Sequence, residues 1–231
     1  MHDPLFRSIT LTPRNLAITK DLTAPNSLGP NPVVLQSMII CKQPEIGAAV
    51  QPHQDSTFLY TDPPSAVGFW YALEDATVSN GCLSFVPGSH LWEPVRKRLV
   101  RMQEADGGDG TGFIDLPADG ANGLPEGAKA RENKGKVEDE KFVNGEVRAG
   151  TLVLIHGNVL HKSSKNLSGK SRHIYTFHGE CSICVVKTRW IDIYGLFCTI
   201  AISGDYGYDK LNWLQPGVEG FSRLERMTTT A

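Results

Sequence analysis

Four positions have the residue types and spacing of a metal site with an anion anchor. His53-Gln54-Asp55 sets an imidazole and a carboxylate two residues apart, so in an extended backbone both leave the same face. Together they supply two of the three ligands of a facial triad, and the third is expected from a histidine on a neighbouring strand. Two histidines downstream compete for that place. His156 closes the apolar run Leu152-Val153-Leu154-Ile155 and reads as a core histidine bonded to backbone, which leaves His161 as the expected ligand. Arg172, eleven residues further on, opens a β-like segment. Its planar, permanently charged fork suits the distal carboxylate of a dicarboxylic cosubstrate. His-x-Asp alone is a weak signal, usually a surface pair; the later histidine and arginine give it content.

Strands must position these groups. β-branched and apolar runs predict strands over 33–40, 67–73, 82–86, 151–155 and 172–177, each bounded by Pro or Gly. Helical periodicity is convincing only over 16–22, running on to 26. Short strands between Gly- and Pro-rich turns predict an all-β sandwich or barrel with minor flanking helices. Residues 103–147, with Asp106-Gly107-Gly108-Asp109-Gly110 and a densely charged run over 131–140, read as a loop insertion.

At 231 residues and 40% hydrophobic, the chain has material for one sizeable core, and 1–231 reads as a single domain. A formal net charge of −2 argues against nucleic acid as a partner. Lys187, Arg189 and Asp192 interrupt the best candidate for a membrane span. Five cysteines, three of them crowded at Cys181, Cys184 and Cys198, argue against a disulfide framework. With no signal peptide or targeting tripeptide legible, the expected location is cytoplasmic. Three motifs are set aside. Arg96-Lys97-Arg98 with Arg101 reads as a solvated face before a phosphate grip. Cys181-x-x-Cys184 lacks a second pair to complete a tetrahedral site. Ser163 and Ser164 lack the nucleophile-elbow context of a hydrolase.

Longer blocks carry a resemblance. Gln36-Ser37-Met38, Pro52-His53-Gln54-Asp55, Gly68-Phe69-Trp70, Glu74-Asp75-Ala76, Asn80-Gly81-Cys82-Leu83, Phe85-Val86-Pro87-Gly88-Ser89-His90, His161-Lys162-Ser163 and Asn212-Trp213-Leu214-Gln215-Pro216 together resemble the phytanoyl-CoA dioxygenase family of Fe(II)- and 2-oxoglutarate-dependent oxygenases. The resemblance implies a double-stranded β-helix, a jelly roll of two packed sheets. It also implies iron ligation by His53, Asp55 and His161. Arg172 would pair with the 5-carboxylate of 2-oxoglutarate, and Met38, Gln54 and Trp70 would line that pocket. Fe(II), 2-oxoglutarate and O2 are the implied reactants, with ascorbate in support. An aliphatic or small organic substrate would be hydroxylated while 2-oxoglutarate is decarboxylated to succinate. Asp55 in place of Gly or Ala leaves no room for a halide on iron and favours hydroxylation over halogenation.

The chain departs from the family pattern in two places. The pattern carries a further N-terminal portion before His2-Asp3-Pro4, so the domain reads as N-terminally incomplete. Residues 181–204 form an atypical, cysteine-rich aliphatic insert, as a translated intron would. Two alternatives follow: an inactive member acting as a binding module, and a cupin-type protein using another metal.

Overall fold

The computed structural model describes residues 3–22, 33–61, 65–102, 110–118, 122–124, 128, 130 and 141–180, with three two-residue strands beyond them. Two short helices come first, α1 (Pro4–Thr10) and α2 (Pro13–Leu22). Ten strands follow: β1 (Val33–Lys42), β2 (Val50–His53), β3 (Val67–Ala72), β4 (Leu83–Phe85), β5 (Lys97–Met102), β6 (Gly110–Asp115), β7 (Val143–Gly145), β8 (Leu152–His156), β9 (His161–Ser163) and β10 (Arg172–Glu180). The last short strands are β11 (Ile183–Cys184), β12 (Ile202–Ser203) and β13 (Ser222–Arg223). All pairings are antiparallel. The larger sheet has the order β13-β1-β10-β3-β8 and the smaller β2-β9-β4-β7, while β5 and β6 form a separate hairpin. These two packed sheets are the double-stranded β-helix, and the chain is all-β apart from its helices.

The helices start where local chemistry supplies their caps. The Asp3 carboxylate accepts the Leu5 and Phe6 amides at 2.9 and 3.1 Å, and Pro4 occupies the first turn where no amide is needed. The Thr12 hydroxyl accepts the Asn15 amide before α2. Both helices lie on the outer face of the larger sheet, where Leu11 and Leu16 pack with Val34, Val67, Phe69, Tyr175 and Phe177. Phe69 and Phe177 stack at 4.7 Å between centroids. Tyr71 donates to Asn15 Oδ1 from the same face.

Strand alternation sends the other half of each sequence inward. The β1–β10 register pairs Lys42 with Arg172, Ile40 with Ile174, Met38 with Thr176 and Gln36 with His178. The β10–β3 register adds Ala72, Trp70 and Gly68 opposite Ile174, Thr176 and His178. Directly opposed residues share a face, so one inner wall carries Lys42 and Arg172 at one end and His178 at the other. Trp70, Ala72, Ile155 and Ile174 form the apolar middle with Cys82 and Val159. A bulge between Val34 and Gln36 turns Leu35 into a separate cluster with Leu59 and Ala66.

Four details differ from the sequence reading. The strand expected over 33–40 runs to Lys42, and that expected over 172–177 runs to Glu180. α1 was not expected, because seven residues are too few for periodicity to show. The stretch 103–147 holds β6 and β7 and so is not all loop; its charged run 131–140 and most of the 181–204 insert lie outside the described residues.

Candidate metal centre

β2 and β9 are direct neighbours in the smaller sheet, and their register sets His53 opposite His161. Alternation along β9 turns His161 and Ser163 inward and leaves Lys162 over the Phe142 ring outside. Asp55 reaches the same spot by a different route. The extended backbone expected to carry it ends at His53, and Asp55 opens a one-turn 3-10 helix, Asp55–Thr57. Gly157 makes that turn fit: its amide donates to Ala66 O, and its carbonyl accepts the Ser56 amide. A Cβ on Gly157 would stand 2.5 Å from Ser56 Oγ and 2.8 Å from Ala66 O.

One ligand atom from each of His53, Asp55 and His161 lies within 4.8 Å of the others, the only such three-residue group among the described residues. His53 Nε2 and His161 Nε2 stand 3.5 and 3.6 Å from Asp55 Oδ1. Those separations are too long for good hydrogen bonds. They are slightly wider than the roughly 3 Å between adjacent ligands each about 2.1 Å from one ion. The tautomers agree. His53 Nδ1 donates to Gln51 O at 2.9 Å and His161 Nδ1 to Val159 O at 3.0 Å. Each proton therefore sits on Nδ1, and each Nε2 lone pair is free to bind a metal.

The electrostatics suit a divalent cation. Burial by itself favours the protonated acid, yet the imidazoles of His161 and His178, with the hydrogen bond from His178, hold the Asp55 carboxyl well below the usual carboxylate range. Burial lowers His161 more than Asp55 raises it. At the more open His53, burial is outweighed by the neighbouring Asp55 carboxylate and the Gln51 carbonyl, and its pKa rises. The donor set, two neutral imidazole nitrogens and one carboxylate oxygen, fits Fe(II).

Arg172 and Lys42 form a second feature, a pair of buried cations. Arg172 is 2% exposed, its Nε has no hydrogen-bond partner, and its guanidinium carbon lies 5.5 Å from the Trp70 ring centre. Lys42 is 3% exposed and donates to Ser163 Oγ at 2.8 Å and to Ser164 O. Burial, and then the Arg172 charge, pull the Lys42 pKa down to about 8. The acid nearest in register, Glu74, is exposed and bonded to His173. A buried guanidinium with an orphaned N–H beside a second cation fits an anion such as a carboxylate.

The remaining expected residues fall as follows. Trp70 lies on the inner wall against Arg172, and Met38 is on the same wall but 39% exposed. Gln54 is buried with its amide nitrogen donating to Glu93 O and Asn158 O at 2.9 and 2.8 Å, a brace between loops. His156 pairs with Val67, whose side chain packs on the outer, helix-covered face. Its ring lies 5.0 Å from that of His90, tilted by 40°, and its Nδ1 accepts the Asn158 backbone amide. The run Arg96-Lys97-Arg98 is not one solvated face. Arg98 is 6% exposed and lies over Tyr60, Arg96 pairs with Glu93, and Lys97 covers Phe113. A cavity of about 500 Å³ adjoins His53, walled by Phe58, Pro94, Phe113 and Leu160.

Sequence reasoning missed Lys42 and His178. His178 was within reach, because Arg172, Ile174, Thr176 and His178 alternate along one strand. Lys42 had no local signal, since only the β1–β10 register brings it to Arg172.

Comparison with known proteins points the same way. The family model described as Phytanoyl-CoA dioxygenase (PhyH) matches residues 2–174. A rat protein named phytanoyl-CoA dioxygenase domain-containing protein 1 is 48% identical over 179 residues, covering 77% of this chain and 53% of its own length. An Arabidopsis thaliana phytanoyl-CoA dioxygenase is 43% identical over 192 residues, covering 82% of this chain and 58% of its own. The chain thus spans about half the length of the curated relatives it matches. Among solved structures, the non-heme alpha ketoglutarate dependent carbocyclase SnoK from nogalamycin biosynthesis matches with a TM-score of 0.55 and 27% identity, over 77% of this chain and 59% of that one. EctD from S. alaskensis with bound Fe shares the fold at a TM-score of 0.51 and 17% identity, over 77% and 53%. No helix among the described residues is long and apolar enough to cross a membrane.

Proposed function

The chain belongs to the phytanoyl-CoA dioxygenase family, and from that premise we propose that it is a single domain that binds Fe(II) and 2-oxoglutarate and hydroxylates a small organic or aliphatic substrate. The observation that carries this reading is the convergence of two imidazole Nε2 atoms on Asp55 Oδ1 at 3.5 and 3.6 Å, each ring fixed by its Nδ1–H. His53, Asp55 and His161 hold the iron. Bound there, ferrous iron supplies the oxidising chemistry, in which O2 and 2-oxoglutarate yield succinate, carbon dioxide and an oxygen atom for a substrate C–H bond.

The protein's own part is binding and orientation. Ser163 lies two residues beyond His161 on the same inward face, about 7 Å along the strand. Its hydroxyl touches Lys42, the cross-strand partner of Arg172. One strand step thus separates the metal ligands from the cationic floor, a span suited to a five-carbon diacid. Arg172 takes the distal carboxylate, Lys42 fixes the Ser163 hydroxyl beside it, and Trp70 backs the guanidinium and keeps water from it. The cavity beside His53 receives the organic substrate against a wall in which Phe58 and Phe113 pack edge to face.

The test is succinate formation from 2-oxoglutarate by the purified chain with added Fe(II), including the uncoupled turnover that needs no prime substrate. Succinate that appears with wild type and not with Asp55→Ala supports the reading. Metal-dependent thermal stabilisation without succinate favours the binding-module alternative. Stabilisation by a different divalent ion in preference to Fe(II) favours the cupin alternative.

A further inference from the structure

We infer that His178 is a positioning residue for the centre: it ties down one oxygen of Asp55 so that the other alone faces His53 and His161. This rests on the reading of those three residues as metal ligands. His178 is 6% exposed, and its Nε2 donates to Asp55 Oδ2 at 3.2 Å. The ionised Asp55 carboxylate can only accept, so the proton of this contact is on His178 Nε2, and Gln36 Nε2 lies 3.5 Å from the other ring nitrogen, Nδ1. Asp55 Oδ1, in contrast, is the oxygen shared between the two Nε2 atoms of His53 and His161. The carboxylate is therefore divided, one oxygen committed to the larger sheet and one offered to the metal site.

The division comes from the fold. His178 stands at one end of the inner wall of β10, and its cross-strand partner on β3 is Gly68. A Cβ on Gly68 would come within 3.4 Å of His178 Nε2 and 3.5 Å of Asp55 Oδ2. Gly68 thus stands directly beside the imidazole and carboxylate where they meet. Asp55 comes from a one-turn helix with no strand ladder to fix its side chain, so its rotamer depends on this contact. A carboxylate held by one oxygen lends the metal one ligand and cannot swing to give two. The remaining coordination positions then stay available to the diacid and O2.

The test compares His178→Gln, which keeps an N–H donor near the Nε2 position, with His178→Met, which keeps the length and loses the donor. The measurement is Co(II) affinity under anaerobic conditions, followed by the ion's visible absorption. Co(II) binding is expected to weaken roughly ten- to a hundredfold in His178→Met and to stay within about threefold of wild type in His178→Gln. A role in packing alone predicts that the two variants fall together or that neither falls, and either pattern overturns the proposal. Should His178→Met fail to fold, His178→Phe fills the ring's volume without that donor and carries the same expectation. Failure of the underlying site looks different: wild type takes up no Co(II), or Asp55→Ala binds it as tightly as wild type.

Discussion

His53 and His161 are cross-strand partners with ring centroids 4.2 Å apart, and each donates its Nδ1–H to the carbonyl two residues before it. The same local device, an i−2 carbonyl, fixes both tautomers without help from any other side chain. The orientation of the two rings is thus built by β2 and β9 alone, while Asp55, the third candidate ligand, is held by His178 of the opposite sheet.

His161→Ala and His156→Ala therefore separate function from packing. Losing His161 removes one ligand nitrogen and is expected to lower Fe(II)-dependent succinate formation at least about a hundredfold. His156 faces away, so His156→Ala retains most activity. It leaves the Asn158 amide without its acceptor and opens a void against His90, at a stability cost of about 2–3 kcal/mol. Succinate assays and thermal melts on both variants check this. An active His161→Ala beside a dead, well-folded His156→Ala would reverse the assignment.

The candidate metal site was more legible in the sequence than its surroundings for a physical reason. His53, Asp55, His161 and Arg172 stand out by type, and His156 reads as a core histidine because it closes an apolar run; the structure adds that it faces the outer, helix-covered side while His161 faces inward. Lys42 could not be found that way, because an isolated lysine at a strand end looks like an exposed one until register puts it beside Arg172. The Asp55 turn was also hidden. A strand and a one-turn helix both bring residues 53 and 55 together, and only the close passage of Gly157 under Ser56 decides between them.

Arg172→Lys tests the anion floor. An ammonium keeps the charge but loses the planar fork, so KM for 2-oxoglutarate is expected to rise about tenfold or more with a smaller change in kcat. Lys42→Met removes the donor that holds Ser163 Oγ and is expected to raise the same KM by a smaller factor. Steady-state kinetics with 2-oxoglutarate varied decide the matter. An unchanged KM in Arg172→Lys would remove the diacid from this end of the barrel.

Gly157→Ala probes the turn that delivers Asp55. The added methyl would meet Ser56 Oγ and Ala66 O well inside contact distance, and overpacking of this kind costs about 1–3 kcal/mol. Because Ser56 adjoins Asp55, metal affinity should fall along with stability. Calorimetric titration with Co(II) and a denaturant melt check both. Wild-type values for each would show that the turn absorbs a methyl group freely.

Acid sensitivity gives a prediction with a defined sign. Burial, and then the neighbouring His90, push the His156 pKa from 6.5 down to about 3. The folded protein therefore keeps this imidazole neutral, while the unfolded chain takes up a proton below pH 6.5. The stability held by the neutral ring is fully present above that value and drains away as pH falls towards 3. Between pH 7 and pH 5 the loss from this residue alone is about 2 kcal/mol. His156→Phe removes the titration and fills the same volume, so its stability should fall less over that interval by about this amount. The other histidines are common to both proteins, so the difference isolates position 156. Denaturant melts of the metal-free chains at pH 7, 6 and 5 measure it. Parallel pH dependence in the two proteins would show that His156 is as free to take a proton when folded as when unfolded.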